Sequence, residues 1–388
     1  MNIPMDRMLG VTYGLAYGDA LGRPTEFVTS KMLAKFGSPF RDMVGLNTAR
    51  NGIVTDDTQM SLAVAKAAII HDANPSGQMM ADRFIKEFIG WYKDPKSRDG
   101  MRAPGGTCLG AVGALIRNPR QWLLATRPDS KGNGANMRVS PLALRTDWSW
   151  ETLAKASQLQ AAITHGHPTA LAAANLTAVA VRMLLEGIAK PNETLLDHLL
   201  AYAVDNREVY HGDWLGHLWE QTPLPVLPQA GLWEHDVWAG IETIPGVRIS
   251  KLPPAPKPVI HPRRPAPKSP QEYIMRGWDE MIDALLRVYE APRRQNEDPC
   301  KIGGEGWIAE EAIAVSLHTL LCFPGNPTDT LRRAAFTNGD SDSIASITGA
   351  LAGAAYGRRA FPHHWMGNLE YRREIDSLTA RLANASGC

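Results

Sequence analysis

Cysteine is scarce. Cys108, Cys300, Cys322 and Cys388 are the four in 388 residues, with no CxxC pair and no regular framework among them. That excludes a cysteine zinc ribbon and fits a reducing, cytoplasmic compartment. An excess of charge of one sign is also missing: 41 Lys and Arg against 40 Asp and Glu leave +1, so nothing calls for a nucleic-acid track across the whole surface. No apolar run reaches the ~18–20 residues that cross a bilayer. The opening MNIPMDRMLG has no basic stretch leading into an apolar core, so no membrane span and no secretory signal are expected. Alternating Val/Ile/Thr segments bounded by turns are few, which argues against a substantial sheet.

What the chain does have is helix-forming sequence. Hydrophobic residues make up 44% and charged residues 21%, enough for a large core and too apolar for global disorder. Residues 58–71, 152–163, 168–189 and 307–321 are rich in Ala, Leu, Met and Glu, with apolar positions three and four apart, and predict helices. The stretch 341–357 (SDSIASITGALAGAAYG) mixes Ile and Leu with Ser, Gly and Ala. Small side chains admit a close neighbour, so this helix is expected at the centre of an all-α body. Residues 208–275 break the pattern. They hold Trp214, Trp219, Trp233 and Trp238, and then a strip, 251–270, with eight prolines, three lysines, two arginines and no acid. Proline at that density favours extended geometry and forbids helix. The segment reads as an insertion, its strip a semi-rigid surface linker or a docking strip for an acidic partner or polyanion. By length alone the chain would divide into two or three units.

Two acidic clusters carry the chemistry: Thr55-Asp56-Asp57 and Asp340-Ser341-Asp342-Ser343, each just before a helix-like run. Thr, Ser and Asp are preferred helix caps, and one such cluster could be no more than that. Two of them, each with an additional Asp, point instead to hard oxygen ligands for Mg²⁺ or Mn²⁺. Brought together, they would offer four carboxylates with hydroxyls beside them, enough for a two-metal site. The glycine-rich loops 102–107 and 129–138 suit a diphosphate, because glycine lets backbone N–H groups approach an anion closely.

The chain resembles the ADP-ribosylglycohydrolases, including the dinitrogenase-reductase activating type. The likeness rests on ordered blocks: GVTYGLAYGDALGRPTEF (10–27), GIVTDDTQMSLA (52–63), RAPGGTC (102–108), GNGANMRVSPLAL (132–144), ITHGHPTA (163–170), GGEGWIAEEAIA (303–314) and NGDSDSIASITGALAGAAYG (338–357). It implies a single domain over 1–388, an orthogonal multi-helix bundle carrying 208–275 as an insertion. It implies two Mg²⁺ (or Mn²⁺) ions in a central cleft and hydrolysis of the bond joining ADP-ribose to an acceptor. By matching position, Thr55, Asp56, Asp57, Asp340, Asp342 and Ser343 would hold metal, Ser343 standing where the family commonly has Thr. Glu26 resembles the family's glutamate beside the metals, and it or Asp56 would take the proton from the attacking water. Gly105, Gly106 and Thr107 form one cradle around ADP-ribose. Ser130, Gly132, Asn133, Gly134 and Met137 form another, and His165 lines the sugar side. Asp99 has only its position to recommend it as an acid for the leaving group.

The acceptor is left open by the sequence: a protein side chain, a nucleic-acid base or a small conjugate. A monomer is expected. An isoprenoid-synthase-like enzyme is also all-helical with two acidic motifs, but it would want a carboxylate four residues after Asp56, where this chain has Met60. A non-catalytic binder of an ADP-ribosylated or toxin partner would not need intact metal clusters.

Overall fold

The computed structural model describes residues 3–26, 52–98, 102–221, 266–367 and 369–387. Among the described residues the helices of eight residues or more are α1 (Met5–Gly22), α2 (Asp56–Ala68), α3 (Gly77–Lys93), α4 (Gly106–Arg117), α5 (Trp150–Ala162) and α6 (Pro168–Glu186). They continue with α7 (Glu193–Asp205), α8 (Pro270–Glu290), α9 (Ala309–Cys322), α10 (Pro327–Ala334), α11 (Ser341–Tyr356) and α12 (Arg372–Ala385). Among the described residues there is no sheet, only two isolated bridges, Arg127 with His165 and Gly132 with Ile308. The all-α expectation holds, and each predicted helix forms within a few residues of its expected ends.

Local chemistry sets the helix ends. Ser76, Ser149 and Ser269 accept from N–H groups three residues on, satisfying donors that the first turn cannot. His167 caps α6 through Nδ1, which accepts from Thr169 N at 3.2 Å, so it is a capping histidine. Pro168 follows at the first helical position and Gly187 closes the helix at φ 74°. By length and composition α6 could cross a bilayer, contrary to the sequence expectation that no segment qualifies; it is buried along its whole length inside the protein body.

The centre of the body is the pair α1 and α11. Gly10, Gly14, Gly18 and Gly22 recur every four residues along one stripe of α1. A Cβ built on them would stand 2.2, 2.1, 1.9 and 2.3 Å from the carbonyl oxygens of Gly353, Gly349, Ala345 and Ser341. The two backbones therefore touch, running antiparallel, and only glycine permits it. This contact carries the end of α1 to the start of α11. There Thr25 Oγ1 donates to Ser341 Oγ (3.1 Å), which donates to Gly22 O (3.0 Å).

Both ends of segment 208–275 are built into this body. Trp214 is buried and packs where a side chain at Gly77 would sit, and Trp219 lies partly buried against the core. α8 begins inside the segment and packs on α6, with Gly277 against the Pro168 carbonyl. Trp233, Trp238 and most of the proline-rich strip, 251–265, lie outside the described residues.

Candidate active site

The two acidic clusters, hundreds of residues apart in sequence, meet where α1 ends, α2 begins and α11 begins. Carboxylate oxygens of Glu26, Asp340 and Asp342 all lie within 4.8 Å of one another. Asp56, Asp57, Asp340 and Asp342 are buried, as are Thr55 and Ser343, while Glu26 is half-buried. Burial, then the charge of Asp342, push the Asp56 and Asp57 carboxyls well above their ordinary range. Burial and then Asp342 and Asp340 do the same to Glu26, and Asp342 is raised by burial and by Asp340. These acids resist ionising side by side unless positive charge joins them.

The capping alternative separates the two clusters. Thr55 does cap α2: its Oγ1 accepts from Asp57 N at 3.3 Å and donates to Asp57 Oδ2 at 3.1 Å. Asp340 occupies the cap position of α11 but its side chain caps nothing; Oδ2 accepts instead from Asn133 Nδ2 at 2.7 Å. Among the described residues Asp57 Oδ1, which is buried, has no hydrogen-bond partner. An acceptor left orphaned among raised carboxyls is a donor set in want of a cation, and all-oxygen chemistry suits a hard one.

Each glycine loop is fastened to one acidic cluster. Gly105 donates its backbone N–H to Asp56. Gly105 and Gly106 open α4 exposed, and among the described residues nothing lies within 4 Å of where their side chains would begin. Thr107 Oγ1 lies 3.0 Å from Ser130 Oγ, which ties the two loops together. Asn133 Nδ2 donates to both Gly306 O and Asp340 Oδ2, so its amide hydrogens are spent on the scaffold. Met137 is buried, its sulfur accepting from Ser343 Oγ at 3.8 Å. The His165 ring packs against Gly132 and Gly134, where any Cβ would crowd it. Asp99 lies outside the described residues.

Sequence reasoning passed over the residues that hold the clusters in place. Asp19, fully buried in α1, accepts from Thr55 N (2.9 Å), Thr58 N (3.0 Å) and Thr58 Oγ1 (2.5 Å), and so anchors the first turn of α2. Its signal was available: a lone acid inside the otherwise apolar and glycine-rich GLAYGDALG. Arg102 clamps Glu370 through both terminal nitrogens, at 2.6 and 2.9 Å, and donates to Val54 O. Glu370 Oε2 accepts from Val54 N at 3.1 Å, and Arg102 O accepts from Asp56 N at 3.1 Å. Nothing local in the sequence pairs residues 102 and 370.

A family model described as ADP-ribosylglycohydrolase matches residues 1–387. An ADP-ribosylarginine hydrolase, Tri1, of Serratia proteamaculans (strain 568) is 23% identical over 97% of this chain and 79% of its own. The ADP-ribosylhydrolase ARH3 of Mus musculus is 24% identical over 97% of this chain and 91% of its own. An ADP-ribosyl-[dinitrogen reductase] glycohydrolase of Rhodospirillum rubrum is 35% identical over 43% of this chain and 54% of its own. Among solved structures, an ADP-ribosylglycohydrolase-related protein complex shares the fold at TM-score 0.61 and 21% identity, over 98% of both chains.

Proposed function

This chain belongs to the ADP-ribosylglycohydrolase family, and we propose that its two acidic clusters form the metal-dependent centre at which it works. It is a hydrolase that removes ADP-ribose from an ADP-ribosylated substrate. The isoprenoid-type and purely binding alternatives fall with that assignment. In our reading, Thr55, Asp56, Asp57, Asp340, Asp342 and Ser343 hold two Mg²⁺ or Mn²⁺ ions. The observation that carries this is the orphaned Asp57 Oδ1 beside the crowded oxygens of Glu26, Asp340 and Asp342. Bound divalent cations supply Lewis acidity and neutralise the clustered carboxylates.

The chain's own groups then have separable tasks. The loops at Gly105–Thr107 and Ser130–Gly134 hold the diphosphate through the backbone N–H groups of Gly106, Thr107, Gly132 and Gly134 and the Thr107 and Ser130 hydroxyls. This fixes the ribose of the scissile bond over the carboxylates. As the acceptor departs, oxocarbenium character builds on that ribose, and the surrounding carboxylates stabilise it. Glu26 stands at the half-exposed edge of the cluster, and its Oε takes the proton from the attacking water. The absence of disulfides among Cys108, Cys300 and Cys322 supports a reducing, cytoplasmic setting, and we take the working form as a monomer.

The test is product binding and turnover together. With Mg²⁺ present, ADP-ribose at a hundred times its Kd should stabilise the fold by ~2.7 kcal/mol, read as a rise in Tm. An ADP-ribosyl-arginine or ADP-ribosyl-serine peptide should release ADP-ribose, and chelation should stop this reversibly. Release at an undiminished rate in chelator would refute the metal assignment.

A further inference from the structure

His165 is 2% exposed, yet among the described residues its ring makes a single hydrogen bond, between Nδ1 and Thr164 Oγ1 at 2.8 Å. Its other nitrogen, Nε2, faces the glycine loop, 3.4 and 3.3 Å from where side chains on Gly132 and Gly134 would begin. Which nitrogen carries the proton decides whether this edge offers the ligand a donor or an acceptor.

The surroundings answer the question. Arg138 is wholly buried and can only donate. Its Nε donates to Gln160 Oε1 and one terminal nitrogen donates to both Gln160 O and Thr164 Oγ1, all at 2.7 Å. Thr164 Oγ1 is thus an acceptor toward Arg138, and its one proton has two possible destinations. Ala161 O lies at 3.4 Å and already accepts from Thr164 N (3.0 Å) and His165 N (2.7 Å). A carbonyl has two lone pairs, both taken there, and a third donor at that distance gains little. The hydroxyl proton therefore goes to Nδ1 at 2.8 Å, which leaves the ring proton on Nε2.

We propose that Arg138 and Thr164 are positioning residues that hold His165 as an Nε2–H donor to an oxygen of the ligand on the Gly132–Gly134 loop. The relay runs one way, from Arg138 N–H to Thr164 Oγ1 and from Thr164 O–H to His165 Nδ1. The identity of the ligand, ADP-ribose, rests on the function proposed above; the tautomer does not. The groups facing the ring point the same way. Burial and then the Arg138 charge lower His165 to about 3, and the nearby Cys108 thiol is itself pushed up to about 11 by burial. The residue is a neutral donor across the working pH range, and so it is neither a general acid nor a general base.

Nitrogen-15 imidazole spectra of histidine-labelled protein test this, with His165 assigned by its loss in His165→Gln. The ligand-free wild type should show His165 protonated at Nε2, bare at Nδ1 and unchanged from pH 5 to 8. Thr164→Ser should keep that pattern. Thr164→Val should lose it and weaken ADP-ribose about tenfold, the scale of one misdirected hydrogen bond. An Nδ1–H tautomer or an imidazolium in the wild type overturns the proposal, and that spectrum decides it even if Thr164→Val does not fold. Tight ADP-ribose binding with no movement of the Nε2 resonance overturns the donor role. If ADP-ribose does not bind the wild type at all, the functional reading fails while the tautomer result stands.

Discussion

The backbone contact between α1 and α11 makes Gly18→Ala the sharpest perturbation. The new methyl would lie 1.9 Å from Ala345 O and 2.3 Å from the carbon of that carbonyl. A carbon normally stands about 3.3 Å from a carbonyl oxygen, so the helices must part by about 1.4 Å. Neither partner can yield alone, because the obstructing atoms are backbone inside a helix. Overpacking of this kind costs up to about 3 kcal/mol, and the better helix propensity of Ala returns about 1, for a net loss of about 2 kcal/mol. In a chain of this size that is about 2–3 °C in Tm. The larger effect should be on activity. Glu26 follows α1 after the single turn Arg23–Thr25, which is held to α11 by Thr25 and Ser341. Displacing it by about 1 Å from Asp342 should lower kcat/KM about a hundredfold. Gly90→Ala is the control: it lies in α3 with none of the described residues within 4 Å of the added carbon and should stabilise by about 0.5–1 kcal/mol without touching turnover. Differential scanning fluorimetry and ADP-ribose release measure both effects. A Gly18→Ala enzyme with wild-type Tm and turnover would show that the helices are not in backbone contact.

Asp342→Asn should raise the metal-free Tm at pH 8, because it removes one charge from a buried like-charge cluster, while abolishing turnover and the Mg²⁺-dependent gain in Tm; turnover within tenfold of wild type would refute the ligand role. An acid whose pKa is raised on folding favours the native state below its unfolded pKa, and that contribution is lost as pH rises through the folded value. Asp19 is raised from 3.8 to about 7 by burial and then by Asp342, and its neighbours shift in the same direction. The metal-free Tm should therefore fall between pH 5 and 8 and the gain on adding Mg²⁺ should grow; a pH-independent gain would count against the site. Arg102→Ala should cost about 2–3 kcal/mol in urea unfolding, since it takes the cation from the Glu370 carboxylate and a donor from the Val54 carbonyl. Adding Glu370→Ala should cost little more, and full additivity would deny the clamp.

Much of this protein was legible in one dimension, because the signals are local. Helix propensity and three-to-four spacing mark α2, α5, α6 and α9, and helices satisfy their own backbone within the segment. The small residues of 341–357 announced a close partner. The stripe Gly10, Gly14, Gly18 and Gly22 is periodic enough to be that partner, though propensity alone counts glycine against a helix. Thr55-Asp56-Asp57 and Asp340–Ser343 stand out because acids at that density need a reason. Whether each is a cap or a ligand set was not local. Thr55 caps and Asp340 does not, and the difference is Asn133, brought to Asp340 from 207 residues away.

Sequence by itself determined the helical class, the acids and the loops, since residue type and spacing decide propensity, charge and backbone freedom. Only tertiary structure decided which groups face one another. It set Glu26 beside Asp342, Arg102 across from Glu370, Asp19 beneath Thr55 and Thr58, and Arg138 behind His165. The reason is physical: a buried charge takes its pKa and its role from neighbours within a few ångströms, and the fold rather than chain order supplies those neighbours.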